Sequence, residues 1–275
     1  MRVVILGSGC PLPDPLRAGP STLLRTAAGD LLFDCGRGVL MRLAGAGSAP
    51  GLLRHVLLTH LHSDHITDLN DIITSRWATS FVPNPLAVIG PVGTAAMVEA
   101  TEAMLDSDIG YRLAHHDDLT WAPDTTTAEV DAGVVFEENG VRVTAAPTDH
   151  SPVRPTVGYR IEEGGRAVVI AGDTVPCAGL DSLCTGADVL VHTVVRRDQI
   201  ELIGVPRLLD VLDYHSSVPD AADTAARNGV HTLLLTHMVP PPAPGTEQEW
   251  IDQAAVTFSG EILVAGDLMT VEVGG

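Results

Sequence analysis

Thr59-His60-Leu61-His62-Ser63-Asp64-His65 places four potential metal ligands within six residues, directly after the apolar run Val56-Leu57-Leu58. A regular strand or helix could not turn all four side chains toward one point at this spacing, whereas a loop at the end of a strand can. Three imidazoles and one carboxylate are the ligands of zinc or another borderline metal ion. We therefore predict that a buried strand over Val56–Thr59 leads into a metal site.

The same pattern favours two metal ions, because a single tetrahedral site could not use all four residues and still leave a position for a substrate. A second ion needs further ligands. Lone polar residues at the ends of other apolar strands can supply them, since functional side chains concentrate in such loops. The candidates are His150 after Val141–Ala146, Asp173 after Ala167–Ala171 and His237 after Thr232–Leu235.

Short β runs separated by two-residue turns predict antiparallel hairpins along the chain. The turns are Ala28-Gly29, Asn139-Gly140, Gly164-Gly165 and Gly266-Asp267. Helices are predicted between the strands at Ile66–Ser75, Thr94–Leu105, Pro206–Leu212 and Pro219–Asn228. Hairpins with interleaved helices in both halves favour two sheets sandwiched between helices, and we expect one α/β domain over residues 1–275.

Composition and charge limit the classes of function. All 16 basic residues are arginines, and 35 acidic residues bring the formal net charge to −19. Such a polyanion repels nucleic-acid phosphates unless positive charge is concentrated locally. No apolar run approaches the roughly 20 residues that cross a bilayer, and the four cysteines have no C-x-x-C spacing. We expect a cytoplasmic protein with reduced thiols and no membrane segment.

The sequence resembles the metallo-β-lactamase superfamily, whose His-x-His-x-Asp-His signature is matched by His60, His62, Asp64 and His65. It is similar in particular to the ribonuclease Z-like branch, which contains tRNA 3′-processing endonucleases and related phosphodiesterases and arylsulfatases. Traits of that branch recur in order as Leu6-Gly7-Ser8-Gly9-Cys10-Pro11, Phe33-Asp34-Cys35-Gly36-Arg37-Gly38, Ala171-Gly172-Asp173-Thr174 and Tyr214-His215-Ser216-Ser217. The resemblance covers nearly the whole chain and implies a four-layer αββα metallo-β-lactamase sandwich.

The resemblance also implies a hydrolase with two Zn²⁺ ions, for which another divalent metal such as Mn²⁺ is the substitute. Its ligands would be His60, His62 and His150 for one ion and Asp64, His65 and His237 for the other, with Asp173 bridging them. The nucleophile would be a hydroxide held by both ions, because metal binding lowers the pKa of water to ~7. Asp64 would orient that nucleophile or accept its proton, which makes it a candidate catalytic residue.

His215 is the second candidate catalytic residue. Its imidazolium would hydrogen-bond the developing phosphoryl oxyanion; the alternative is an incidental histidine beside a helix cap. His192 is interpreted as a buried core histidine, because Thr193 stands where ribonuclease Z relatives have a glutamate that helps to shuttle a proton. The pair His115-His116 is interpreted as part of a solvated loop.

Two substrate classes fit these residues. The first is a small anion that carries a phosphodiester, a sulfate ester or a lactone. The alternative is tRNA, against which stand the net charge and the interval of only 22 residues between His150 and Asp173, where bacterial tRNA-processing relatives usually carry a long basic arm. A homodimer, which only the resemblance implies, could gather Arg37, Arg154 and Arg196-Arg197 at the mouth of the site. A non-catalytic metal-binding sensor is disfavoured, because all seven candidate ligands are present.

Overall fold

The computed structural model describes residues 1–274 of the 275-residue chain. Two β-sheets face each other, and helices pack on the outer face of each sheet. The result is the expected four-layer αββα arrangement of an α/β metallo-β-lactamase sandwich. One apolar layer lies between the sheets, and a further apolar layer lies beneath each set of helices. The organisation of the chain as one domain stays a prediction.

Each sheet contains seven strands within residues 1–274. In chain order the strands are β1 (Arg2–Gly7), β2 (Ser21–Thr26), β3 (Gly29–Phe33), β4 (Leu53–Leu57), β5 (Leu86–Gly90), β6 (Thr125–Glu129), β7 (Gly133–Glu138), β8 (Val141–Pro147), β9 (Val157–Glu163), β10 (Arg166–Ile170), β11 (Val189–Val195), β12 (Thr232–Val239), β13 (Glu261–Val264) and β14 (Thr270–Glu272). The first sheet has the order β14-β1-β2-β3-β4-β5-β6, and the second has the order β13-β12-β11-β10-β9-β8-β7.

Each sheet has an antiparallel half and a parallel half. In the first sheet β3, β4, β5 and β6 run parallel, and in the second β10, β11, β12 and β13 do. Parallel strands covered on both faces are apolar throughout. The apolar stretches Val189–His192 and Thr232–Thr236 follow this rule, because β11 is buried at every position and β12 at all but Thr236.

Most of the helices cover the two sheets from outside. They are α1 (Val39–Gly45), α2 (Ser63–Ile66), α3 (Leu69–Ala78), α4 (Thr94–His115), α5 (Ala178–Cys184), α6 (Arg197–Ile203), α7 (Pro206–Leu209), α8 (Val218–Arg227) and α9 (Glu247–Ala254), with 3-10 turns at Pro50–Leu52 and Asp210–Asp213. Helices are present at all four predicted positions, but Ile66–Ser75 is divided between α2 and α3, and only Pro206–Leu209 of Pro206–Leu212 is α-helical. The helix α4 continues ten residues past Leu105 along a mostly exposed surface. Within residues 1–274 no helix has both the length and the apolar character that a membrane crossing requires.

Three of the four predicted hairpins are present, at β2–β3, β7–β8 and β9–β10. The fourth prediction is wrong, because β13 and β14 flank Gly266-Asp267 but belong to different sheets. The Asp267 carboxylate accepts hydrogen bonds from the backbone N–H groups of Ser8 (3.0 Å) and Ala18 (2.7 Å) and pairs with Arg42 at 2.8 Å. These bonds hold the segment against the first sheet, so the chain crosses between sheets there.

Candidate metal centre

The predicted metal ligands lie at one edge of the sandwich, where strands of both sheets end. His60 and His62 follow β4 in a loop, and the helix α2 then carries Asp64 and His65. His150 follows β8, and Asp173 follows β10. His237 lies within β12 rather than after it, with a φ of 46° that interrupts the extended backbone, and the pairing of β12 with β11 shifts register at this point. The structure therefore brings all seven predicted ligands together.

His60, His62, His150 and Asp173 form the first cluster, in which one ligand atom of each residue lies within 4.8 Å of the others. The Nδ1 atom of His62 is 3.1 Å from His60 Nε2 and 3.4 Å from His150 Nε2. Nitrogen ligands of a tetrahedral zinc ion, each bound at ~2.0–2.1 Å, lie about 3.3 Å apart. The three imidazoles are thus already spaced as ligands of one ion.

Asp64, His65 and His237 form the second cluster, within the same 4.8 Å limit. Asp64 Oδ2 is 3.2 Å from His237 Nε2 and 3.7 Å from His65 Nε2. Asp173 lies between the clusters, with Oδ2 3.5 Å from His65 Nε2 and 3.6 Å from His237 Nε2. The same oxygen is 3.8 Å from the Nε2 atoms of two histidines of the first cluster, His60 and His150. One carboxylate therefore faces both clusters.

Hydrogen bonds to the ring nitrogen that faces away from the cluster orient three of the imidazoles. Each ring uses Nδ1 for this bond: His65 to Asp34 Oδ2 at 2.8 Å, His150 to the Tyr214 carbonyl at 2.8 Å, and His60 to Thr59 Oγ1 at 3.0 Å. A proton on Nδ1 leaves the lone pair on Nε2, which faces the cluster in all three rings. The hydrogen bonds therefore select the tautomer that binds a metal ion.

Asp34 is a site residue whose role the sequence did not indicate. Its φ of 57° turns the chain sharply at the end of β3. Besides His65, the carboxylate accepts hydrogen bonds from the Thr59 backbone N–H and the Thr59 hydroxyl, both at 2.8 Å. Asp34 thus ties the loop after β4 to the end of β3. The available signal was the motif Phe33-Asp34-Cys35-Gly36, in which a carboxylate directly follows a buried strand.

Burial keeps the imidazoles of the first cluster neutral. It lowers the pKa of His150 to about 4 and the pKa of His60 well below its ordinary value of 6.5. Desolvation disfavours the charged form of a buried histidine, and nearby imidazoles add to the effect. Both rings therefore keep a lone pair available at neutral pH, which is the form that binds metal ions.

Carboxylates dominate the electrostatics of the second cluster. Burial alone would raise the pKa of Asp173, but His237 and His65 outweigh it and hold that pKa well below its usual range. Burial alone would lower the pKa of His65, but Asp173 and Asp34 outweigh it and raise that pKa well above 6.5. The carboxylates therefore favour a positive charge at this cluster, whether a proton or a metal ion supplies it.

The two clusters fit a pair of divalent metal ions. Imidazole nitrogens and carboxylate oxygens are the ligands of zinc and similar ions. Asp173 Oδ1 and His65 Nε2 are buried and have no hydrogen-bond partner among residues 1–274. A buried polar atom without a partner costs free energy, and coordination of a metal ion would satisfy both atoms.

A cavity of about 510 Å³ opens onto both clusters. Its floor is formed by His62, Asp64, Asp173 and His237, with His215 beside them. His215 Nε2 lies 3.2 Å from Asp173 Oδ2, and His215 Nδ1 lies 3.0 Å from the Val211 carbonyl. Both partners are acceptors, so the ring makes both bonds only when both nitrogens carry protons. Nε2 of His215 is thus directed toward the Asp173 carboxylate at the floor of the cavity.

The loop that carries His215 is fixed by the start of α8. Ser217 is the N-cap of this helix, and its hydroxyl accepts a hydrogen bond from the Asp220 N–H at 3.3 Å. The Asp220 carboxylate accepts one from the Ser217 N–H at 2.9 Å in return, which completes a capping box. The helix thus begins at Val218, and its cap holds the backbone two residues beyond His215.

The other histidines lie away from the cavity. His192 is fully buried, and its Nδ1 donates to the Thr193 carbonyl at 2.7 Å, but its Nε2 has no partner within residues 1–274. Burial lowers its pKa to about 4. His115 is the last residue of α4 and His116 follows it, both exposed, so the pair marks a helix end rather than the middle of a loop.

The arginines proposed from the sequence do not line the cavity. Arg37 donates to the Cys10 carbonyl at 2.9 Å, and Arg154 lies 3.9 Å from Asp149. Arg196 is buried against Trp250 and paired with Asp198, and Arg197 lies 3.7 Å from Glu201. The arginine that does line the cavity is Arg207, which the sequence did not single out.

Comparison with known proteins places this site in a family. Residues 30–238 match the beta-lactamase superfamily domain. The chain is 54% identical over 275 residues to the ribonuclease Z of Mycobacterium bovis, with 99% of this chain and 98% of that protein covered. Two solved structures share the fold. The metallo-beta-lactamase fold protein YhfI from Bacillus subtilis is 22% identical with a TM-score of 0.75, and the match covers 99% of this chain and 98% of that chain. The short form of human tRNase Z is 23% identical with a TM-score of 0.73, and the match covers 99% of both chains. The match to the superfamily domain and the full-length identity confirm the resemblance seen in the motifs: the chain belongs to the ribonuclease Z family of the metallo-β-lactamase superfamily.

Proposed function

We propose that this protein is a tRNA 3′-processing endonuclease, which cleaves the 3′ extension from tRNA precursors. One observation carries the proposal: the chain that holds the two ligand clusters is 54% identical, over its length, to a protein named ribonuclease Z. This identity reverses the order of the two substrate classes inferred from the sequence, in which a small anion stood before tRNA.

The ligand clusters support a binuclear site, and we assign zinc to both positions. His60, His62 and His150 would hold one ion, Asp64, His65 and His237 would hold the other, and Asp173 would be shared. Zinc suits this set of nitrogen and oxygen ligands, and Mn²⁺ is the substitute to test. Two bound ions would acidify water and polarise the oxygens of a phosphodiester.

Asp64 is suited to accept a proton at the floor of the cavity. Burial alone would raise its pKa, but the hydrogen bond from His237 and the charge of His65 outweigh burial and lower it. The carboxylate is therefore ionised at neutral pH. Its Oδ2 contacts His237, and the side chain lines the cavity, where it would orient the attacking water and take its proton.

His215 is suited to stabilise the charge that develops on the phosphodiester. Its ring lines the cavity next to Asp173, and the Val211 carbonyl fixes the ring through Nδ1. A substrate oxygen that displaces the Asp173 contact would receive a charge-assisted hydrogen bond from Nε2. Such a bond strengthens as negative charge grows on that oxygen, so it lowers the barrier rather than tightening substrate binding.

A small anionic ester is the second candidate substrate, and two observations favour it. The chain carries a net charge of −19 without lysine. In addition, β9 and β10 are joined by the tight turn at Gly164-Gly165, so the interval between His150 and Asp173 contains a plain hairpin and no long arm.

A homodimer and a cytoplasmic location complete the proposal, and sedimentation velocity of the purified protein tests the dimer.

The decisive experiment is a substrate panel on zinc-loaded protein. It compares a 3′-extended precursor tRNA with bis(p-nitrophenyl) phosphate, an aryl sulfate and a lactone. We expect cleavage of the precursor, loss of that cleavage in Asp64→Ala, and unchanged cleavage in the matched control Asp181→Ala, whose carboxylate pairs with Arg227 on α8. Turnover of a small ester without cleavage of the precursor would transfer the assignment to the small-anion class. A stable protein that binds no metal would refute the enzyme mechanism altogether.

A further inference from the structure

The protein itself neutralises almost all of its positive charge. Within residues 1–274, thirteen of the 16 arginines have a guanidinium nitrogen within 4.0 Å of a carboxylate oxygen. Of the other three, Arg76 donates to backbone carbonyls such as that of Leu53, and Arg37 donates to the Cys10 carbonyl. Arg207 has neither an ion pair nor a hydrogen bond within the described residues. Among the arginines of residues 1–274, it is thus the one whose guanidinium contacts neither a carboxylate nor a carbonyl oxygen.

Arg207 lies at the cavity that leads to the two ligand clusters. It is carried by α7, whose neighbouring side chains anchor the helix: Leu208, Leu209 and Val211 pack on a cluster of Cys10, Val195, Ile200, Leu212 and Val239. The backbone is therefore held by apolar packing, while the charged end of the side chain is exposed and free to bind. The backbone is therefore ordered before a ligand binds, and only the side chain loses conformational freedom on binding.

The walls around Arg207 are apolar and include one aromatic ring. Val205, Leu208, Val211 and Val239 line the cavity together with Tyr214. The volume of about 510 Å³ is within the range of ligand sites, roughly 300–1,000 Å³. Nucleobases stack on aromatic and apolar side chains, and the planar guanidinium fork of arginine matches a phosphate. An apolar wall beside one free guanidinium is therefore suited to a nucleotide unit.

We propose that Arg207 binds a phosphate of the RNA substrate next to the scissile phosphate, and that the apolar wall with Tyr214 receives the adjoining base. This assignment rests on the proposed endonuclease function, because a polynucleotide presents a second phosphate next to the scissile one. It also accounts for the binding of a polyanion by a chain with a net charge of −19. Positive charge is needed locally, at the mouth of the site, and not over the whole surface.

The test compares Arg207→Gln and Arg207→Lys with the control Arg142→Gln. Arg142 lies on β8 outside the cavity, with a half-exposed side chain 3.9 Å from Glu137, so its replacement removes the same charge elsewhere. For cleavage of a 3′-extended precursor tRNA, we expect Arg207→Gln to raise KM roughly tenfold, as for one lost charge-assisted contact, with little change in kcat. The salt dependence of precursor binding should weaken by about one released counterion.

Arg207→Lys should keep the salt dependence while losing part of the affinity, because lysine retains the charge but not the planar fork. Arg142→Gln should match the wild type in both measurements. Metal content and thermal unfolding of every variant are measured first, and Arg207→Ala provides a second neutral variant.

If the wild-type protein cleaves the precursor and Arg207→Gln has the same KM and salt dependence, the proposed role of Arg207 is wrong. The proposed endonuclease function is not affected by that result. A loss confined to kcat would also overturn the role of Arg207, since phosphate binding away from the reacting atoms acts on KM. Wild-type protein that hydrolyses bis(p-nitrophenyl) phosphate but not the precursor would overturn the proposed function, and with it this assignment.

Discussion

Replacing Asp34 by asparagine should weaken metal binding at the second cluster while changing almost no volume. Asp34 Oδ1 accepts the Thr59 backbone N–H at 2.8 Å, and Oδ2 accepts the His65 Nδ1–H at 2.8 Å. The backbone donor cannot change, so the amide oxygen of asparagine must take the Oδ1 position. The amide nitrogen then faces His65 Nδ1. His65 keeps a hydrogen bond only by moving its proton to Nε2, where it blocks the metal ligand atom.

The size of the effect follows from the hydrogen bond that is lost. A hydrogen bond to a charged group contributes about 1.5–3 kcal/mol. Loss of a partner that orients a metal ligand typically weakens metal binding about 10–100-fold, which corresponds to roughly 1.4–2.8 kcal/mol. The two estimates agree. We therefore expect one ion per chain to be bound about 10–100-fold more weakly in Asp34→Asn, while the ion of the first cluster is retained.

Competition with a chromophoric chelator measures the two affinities separately, because the sites should release zinc at different chelator concentrations. Asp181→Asn provides the control, since it makes the same change at an exposed ion pair on α5. Two affinities identical to those of the wild type would refute the selection of the His65 tautomer by Asp34. Equal weakening of both ions would also contradict it, because His65 belongs to one cluster.

Three further predictions concern stability around the site. Metal-free protein should lose about 2 kcal/mol of unfolding free energy through His192 between pH 7 and pH 5. The pKa of His192 is about 4 in the folded protein and ~6.5 in the unfolded chain, so the unfolded chain takes up the proton first as the pH falls. Urea unfolding of His192→Leu should show a smaller loss over this pH range, and an equal loss would exclude His192 as the cause. Ser217→Ala should cost about 1 kcal/mol in thermal unfolding by removing the cap of α8, and an unchanged Tm would contradict the capping box. Gly172→Ala should lower both the unfolding free energy and the zinc content, because φ is 66° at Gly172 and the new Cβ would lie 2.7 Å from Thr59 Cβ. Binding of two zinc ions by this variant would contradict the prediction and show that the loop can move to accept the methyl group.

The ligands could be predicted from the sequence because the chemistry of a metal site is local. Most of the candidate ligands lie within a few residues of the end of an apolar strand, and strand ends are recognisable from neighbouring residues. The same reasoning failed at Gly266-Asp267, where the turn residues are those of a hairpin. Whether the chain folds back depends on what Asp267 contacts, and its partners Ser8 and Ala18 lie about 250 residues earlier. A local pattern contains no information about those contacts.

Asp34 and Arg207 were missed for a related reason. Asp34 acts on His65 through a contact between the ends of two strands, so its role becomes visible only when β3 and β4 are neighbours. Arg207 differs from most other arginines because it has no carboxylate partner, whereas theirs are often distant in the sequence. The count of charges in a sequence gives the net field, but only the fold shows which charge is left to bind a ligand.

The acidity of the chain therefore has two separate consequences. On the surface, carboxylates neutralise the arginines and leave a field that repels polyanions. Around the two clusters, Asp34, Asp64 and Asp173 are buried together, and His65, whose pKa Asp173 and Asp34 raise against the effect of burial, carries counter-charge to them without metal. Divalent ions would replace that counter-charge and exceed it, because the imidazoles of the first cluster are neutral. Metal binding and attraction of a phosphate are thus coupled through the same buried carboxylates, and the site becomes locally cationic only when its ligands are occupied.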